Sequence, residues 1–178
     1  MAKINPDTLN LEERVIKTNK CQKIIKGGRI MSWSALVVVG DGQGHVGVGL
    51  GKARAIPDAI RKGVEAAKKA IILVPIVGGT LPHELFVTDG AAEVMLKPAS
   101  AGTGLVAGSS MRTILELAGV HDVLGKSLGS SNATNIAWAT IAALKKLKRV
   151  EDVARLRGTT VEALAPWMSK LEGGHHGG

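Results

Sequence analysis

Seven basic residues, Lys17, Lys20, Lys23, Lys26, Arg29, Lys52 and Arg54, share the stretch from Lys17 to Arg54 with a single carboxylate, Asp41. So much unpaired positive charge on a short length of backbone is chemistry for holding anions. Two glycine clusters, Gly27-Gly28 and Gly40-Asp41-Gly42-Gln43-Gly44, divide the stretch into β-branched and apolar runs. Strands joined by tight turns read this way, here as a basic three-stranded sheet with exposed loops. The five cations from 17 to 29 recur every third residue, which drifts around a helix and alternates faces on a strand. Joint action of Lys23, Lys26 and Arg29 therefore depends on the bend at Gly27-Gly28.

The other reactive side chains point to no catalytic residue, metal or cofactor. Cys21 is the only cysteine, so it forms no intramolecular disulfide, and no His or acidic residue stands near it to activate a thiolate. His45, His83, His121, His175 and His176 lack the spacing of a zinc site. Gly42, Gly44 and Gly47 satisfy G-x-G-x-x-G, but a strand is expected after them where a dinucleotide site needs a helix N-terminus. Gly51-Lys52 imitates the end of a P-loop, with Val46 in place of its first glycine and Ala53 in place of the Mg²⁺-binding hydroxyl. The Gly/Ser run from Pro98 to Met111 opens a helix, where backbone N–H groups can meet phosphate. It is loosely similar to a loop of certain small-molecule kinases, but the scattered Glu84, Asp89, Glu93, Glu116 and Asp122 do not supply their catalytic apparatus.

Charge and composition narrow the partner. Residues 1–75 carry 13 Lys/Arg against 6 Asp/Glu and residues 76–178 carry 10 against 9, so the net charges are +7 and +1. The anionic partner meets the N-terminal half, and phosphate polymers are the commonest such partner because neutralising them releases condensed counterions. With no Tyr, one Phe and three Trp, the chain has little material for stacking unpaired bases, which leaves recognition of backbone and shape. Trp33 belongs to an alternating apolar set and reads as core. No apolar run reaches the roughly 18 residues of a spanning helix, and MAKINPDTLNLEE lacks the marks of a signal or transit peptide. The expectation is a soluble cytoplasmic protein with no membrane partner.

The elements that position the cations follow from periodicity. Residues 1–14 read as an arm with a helical turn at Leu9 to Glu13. Val15 to Ile25 reads as a strand, and Met31, Trp33, Ala35, Val37 and Val39 mark the buried face of a second. In a third, Val46, Val48 and Leu50 alternate with Gly47, Gly49 and Gly51, a bare face open to a packed helix or to phosphates. A helix follows with Pro57 near its start, an inner stripe of Ile56, Ile60, Val64, Ala67 and Ile71, and Arg61, Lys62, Lys68 and Lys69 outside. Residues 15–75 thus read as one basic domain and 76–82 as a linker. Within 83–149 come a hairpin about Asp89-Gly90, a helix through Met111, Ile114, Leu115 and Ala118 ending at Gly119, a strand over His121 to Leu128, and a helix from Ala133 capped by Ser131 or Asn132. Residues 150–168 read as a docked helical segment and 169–178 as a flexible tail.

KGGRIMSWSALVVVGDGQGHVGVGLGKAR, PASAGTGLVAGSSMR and GVHDVLGKSLGSSNATNIAWAT, in that order, closely resemble the bacterial ribosomal small-subunit protein five family over residues 12 to 165. The resemblance implies an α+β fold of two small α/β domains. The first is a double-stranded-RNA-binding-like βββα unit and the second a ββαβα two-layer unit, with kinase-like topology but no kinase activity. It implies a structural constituent of the small subunit that binds small-subunit rRNA, aids assembly and supports translational accuracy. Lys26, Gly27, Gly28 and Arg29 would reach RNA near the spectinomycin site. Gly104, Gly108 and Arg112 would face small-subunit protein four, the second domain would also meet protein eight, and proteins three, four and five would line the channel through which messenger RNA enters. Lys20, Met31, Trp33 and Ala55 depart from the residues usual in the family, and Lys20 cannot reproduce the bidentate phosphate fork of an Arg. A free double-stranded-RNA-binding module and a small-molecule kinase are the alternatives.

Overall fold

A computed structural model describes residues 9–164 of the chain. The elements are β1 (Glu12–Ile25), β2 (Gly28–Gly40), β3 (His45–Ala53), α1 (Ile56–Lys69), β4 (Ile72–Leu73), β5 (Leu85–Asp89), β6 (Ala92–Pro98), β7 (Leu105–Val106), α2 (Ser109–Ala118), β8 (Val123–Gly129), α3 (Ala133–Lys146), α4 (Val150–Arg157) and α5 (Val161–Leu164). They make two four-stranded sheets, ordered β1-β2-β3-β4 and β5-β6-β8-β7. The two α/β units match the βββα and ββαβα readings, each with one added two-residue strand. Among the described residues no helix is long and apolar enough to cross a membrane.

The helical turn expected over Leu9 to Glu13 does not form. Glu12 and Glu13 instead open β1, paired with Gly40 and Val39, so the strand begins inside the stretch read as an arm. Ladder hydrogen bonds to β2 override the weak local preference for helix.

The glycines of β3 are explained by α1. A Cβ at Gly47, Gly49 or Gly51 would lie 2.4, 2.2 or 1.9 Å from the carbonyl oxygens of Ala67, Gly63 and Ala59. Four helical residues rise about 6.0 Å and two strand residues about 6.7 Å, so Ala59, Gly63 and Ala67 keep step with alternate residues of β3. The helix thus occupies the bare face, and phosphates do not. Only small residues fit at this separation, which moves the buried set to Ala59, Gly63, Val64 and Ala67 and leaves Ile56 exposed, contrary to the expected stripe.

β2 is buried on both faces from Ala35 to Gly40, where alternation predicted one. Ala35, Val37 and Val39 pack with α1, while Leu36 and Val38 join Val46, Val48, Leu96, Met111, Ile114 and Leu144 in a core common to both units. Met31, expected inside, is 45% exposed because β3 ends its pairing at Trp33 and α1 does not reach that far.

Turn chemistry joins the halves. The amides of Gly42 and Gly44 donate to Leu117 O at 3.0 Å and Ala118 O at 2.8 Å, satisfying carbonyls that the end of α2 leaves free. The G-x-G-x-x-G segment therefore faces a helix C-terminus, the opposite pole from a dinucleotide site. Asp41 Oδ1 accepts from the amides of Gln43 (2.8 Å) and His45 (3.1 Å), and Oδ2 lies 2.6 Å from His45 Nδ1. Burial works to raise the Asp41 pKa, but these amides and the His45 ring outweigh it and hold the carboxyl below its ordinary value.

In the second unit the hairpin turn falls one residue later than expected, at Gly90-Ala91, with Gly90 at φ +58°. Gly119 ends α2 in the left-handed region, and Asn132 caps α3 by accepting from Thr134 N at 3.1 Å. His121 and Asp122 donate to Gly79 O instead of entering the sheet, so β8 starts at Val123. The segment read as a linker is packed: Leu81 is buried, and buried Thr80 donates through Oγ1 to Asp122 O and accepts from Ala99 N at 3.2 Å. The expected terminal helix is split into α4 and α5, and its last residues, 165–167, lie outside the described residues, as does the His175-His176 pair.

Candidate nucleic-acid interface

β3 pairs with β2 only between Trp33 and Gly40, yet β1 and β2 pair with each other as far as Ile25–Gly28. The five pairs from Cys21–Ser32 to Ile25–Gly28 form a two-stranded ribbon that leaves the sheet and extends roughly 17 Å. Lys26 and Gly27 make its turn, and Gly28 takes φ +134°, a conformation that disfavours side chains. Such a ribbon has no core of its own and is marginal in water.

Cross-strand pairing assigns each cation to a face, because directly opposed residues point the same way. Lys20 and Arg29, opposite Trp33 and Ile24, lie on the face shared with α1. Lys17 and Lys23, opposite Leu36 and Ile30, lie on the other, as does Lys52 opposite Ser34. Lys23, Lys26 and Arg29 therefore surround the tip instead of sharing one surface, so the bend at Gly27-Gly28 does not gather them. All seven cations, Arg54 included, are exposed, and none forms a salt bridge with a carboxylate of the described residues. By contrast Arg61 pairs with Asp58 at 3.6 Å, Lys68 with Glu13 at 3.2 Å, and Arg14 with both Glu12 and Glu116.

Trp33 is half-buried at the margin of the α1 core, and Lys20 Nζ stands 5.8 Å from its ring centroid, within cation–π range. Gly104, Gly108 and Arg112 stand at and just before the start of α2, in the second unit. Gly104 adopts φ +75° with its amide donating to Asp122 Oδ1 at 2.8 Å, Gly108 is the N-cap, and Arg112 is exposed on the first turn. No cluster of three His, Cys, Asp or Glu suited to a metal occurs among the described residues.

The family model described as ribosomal protein S5, N-terminal domain, matches residues 11–75, and that described as ribosomal protein S5, C-terminal domain, matches residues 87–157. The chain belongs to the ribosomal protein S5 family. Ribosomal protein S5 is a structural, non-enzymatic component of the small ribosomal subunit, where it binds rRNA and other ribosomal proteins.

In this S5 chain the sequence reading passed over the apolar half of the ribbon. Ile24 is 76% exposed, and Ile25, Ile30 and Met31 are exposed beside the cations. The signal was available: a β-branched strand end beyond the reach of any covering helix must either stay bare or be covered by a partner. Apolar side chains interleaved with exposed cations suit a ligand with both charge and flat or apolar surface, such as the sugar edges and phosphates of folded RNA.

Proposed function

We propose that this S5 chain grips small-subunit rRNA with the β1–β2 ribbon and the basic face behind it. Lys20, Lys23, Lys26 and Arg29 meet phosphates around the tip, the bare Gly27-Gly28 backbone permits close approach, and Lys17, Lys52 and Arg54 extend the contact along the sheet. The observation that carries this reading is a protruding two-stranded ribbon whose cations have no carboxylate partner among the described residues and whose apolar side chains are exposed. In this reading residues 15–75 are the RNA-binding unit, 76–82 its connection, 83–149 the protein-docking unit and 150–168 a helical appendage, with a tail at 169–178. Gly104, Gly108 and Arg112 meet small-subunit protein four, and the second unit also meets protein eight. The tip lies near the spectinomycin site. Together with proteins three and four the chain borders the channel through which messenger RNA enters, supporting assembly and decoding accuracy.

Competition binding tests this against a free duplex-binding module. The chain is expected to prefer small-subunit rRNA to a generic A-form duplex and to travel with small subunits on a sucrose gradient, and Lys26→Ala with Arg29→Ala is expected to weaken both. Equal affinity for the two RNAs, with no co-sedimentation, would overturn the reading.

A further inference from the structure

The net charge of +1 on residues 76–178 hides a local excess. Between Asp122 and Glu151 the chain has no carboxylate, and Lys145, Lys146, Lys148 and Arg149 crowd the corner where α3 turns into α4. All four are exposed, and none forms a salt bridge with a carboxylate of the described residues. The helix dipole accounts for Lys145 and Lys146, which stand in the last turn of α3, where cations are favoured. Arg149 is placed the other way round: it is the N-cap of α4, makes no side-chain hydrogen bond to the helix, and sets a positive charge against the positive end of the dipole. Folding alone disfavours that arrangement, and an external anion relieves it.

The outer face of α3 adds an independent sign. The helix buries Ala137, Thr140, Ile141 and Leu144, and on the side away from them Trp138 is 38% exposed. Lys145, seven residues on, returns to the same face about 10.5 Å along the axis. An open indole in line with exposed cations suits a nucleic-acid strand, whose flat faces stack on the ring while its phosphates meet the charges. Three of the four cations are lysines, a residue depleted from protein–protein interfaces, which favours phosphate over a protein surface here. The backbone of the corner is also held in place: His83 donates from Nδ1 to Glu84 O at 2.9 Å and accepts at Nε2 from Lys148 N at 3.1 Å.

This corner lies far from the ribbon tip. Arg149 and Gln43 line one cavity of about 290 Å³, and Gln43 belongs to the loop that follows β2. The rise of β2 from Gly28 to Gly40 puts that loop roughly 40 Å from the tip. We infer that Trp138, Lys145, Lys146, Lys148 and Arg149 form a second RNA-binding surface, which takes a segment of rRNA other than the one on the ribbon, so that the chain bridges two parts of the folded RNA. The inference rests on the RNA-binding reading above and adds a contact that reading does not contain.

The test has two arms, both on the full chain with small-subunit rRNA. In the first, Lys148→Gln with Arg149→Gln is expected to lower the slope of log K against log salt by about 1.8, as two lost phosphate contacts require. Trp138→Leu is expected to weaken binding about tenfold, and Trp138→Phe to retain it, because a ring and not mere apolar bulk is needed for stacking. In the second arm, backbone footprinting is expected to show one set of protections lost in the Lys148→Gln, Arg149→Gln chain and a different set lost in Lys26→Ala with Arg29→Ala. If the ribbon variant lowers the slope while the corner variant does not, the ribbon reading stands and this inference alone falls; unchanged slopes in both overturn both. A parent slope in the corner variant together with lost co-sedimentation with small subunits assigns the corner to a protein and overturns the inference. Parent affinity in Trp138→Leu overturns the role of the indole, and loss of the same protections in both variants overturns the bridge.

Discussion

Replacing Gly49 with Ala probes the packing on which the basic sheet depends. The new Cβ would lie 2.2 Å from Gly63 O and 2.4 Å from Ala67 N, both backbone atoms that no rotamer change can move. Ordinary contact begins near 3.4 Å, so α1 and β3 must separate by about 1.2 Å at this point. A gap of that size forfeits a quarter to a half or more of the dispersion contact along the seam, and overpacking of this kind costs about 1–3 kcal/mol. Gly49 is not among the positive-φ glycines, so the penalty is steric, and the reduced freedom of the unfolded chain returns less than about 1 kcal/mol. The net expectation is a loss of about 2 kcal/mol or more, read as a lower urea midpoint and a Tm drop of roughly 4–8 °C. Gly27→Ala serves as control, since a Cβ there meets nothing within 4 Å and should change stability by less than about 0.5 kcal/mol. If Gly49→Ala were as stable as the Gly27→Ala control, the account of the glycine strand would be wrong.

Thr80→Val leaves Asp122 O and Ala99 N without their partner in a buried position, and should cost about 1–3 kcal/mol in urea unfolding. A midpoint equal to that of the parent would contradict the packed reading of the segment between the sheets. For Asp41 the folded carboxyl lies below its ordinary value, so its stabilisation is complete above the unfolded pKa and is lost as pH falls through the folded one. Asp41→Asn should therefore be less stable than the parent near pH 7, and the gap should close as pH falls through and below the ordinary carboxylate range. A gap independent of pH would remove the carboxylate from the account.

Much of the fold was legible because local chemistry and tertiary packing agree. Val46 and Val48 alternate with glycines, Gly119 stops α2, and Asn132 caps α3, each a short-range signal that the surroundings reinforce. The sequence could not show that Leu36 and Val38 face a second layer, because a strand covered on both sides loses the alternation that reveals its inside. It missed β7 because two residues held parallel to β8 carry no periodicity. The cations were legible as charge but not as geometry. Their distribution around the ribbon depends on the bulge between Val15 and Lys17 and on a two-residue turn, and slipping the register by one residue would move every side chain to the opposite face.

The claim that ribbon cations hold rRNA phosphates is tested most directly by the salt dependence of binding to small-subunit rRNA. Two lost phosphate contacts in Lys26→Ala with Arg29→Ala should reduce the slope of log K against log salt by about 1.8 on the duplex scale. A slope equal to that of the parent chain would contradict it.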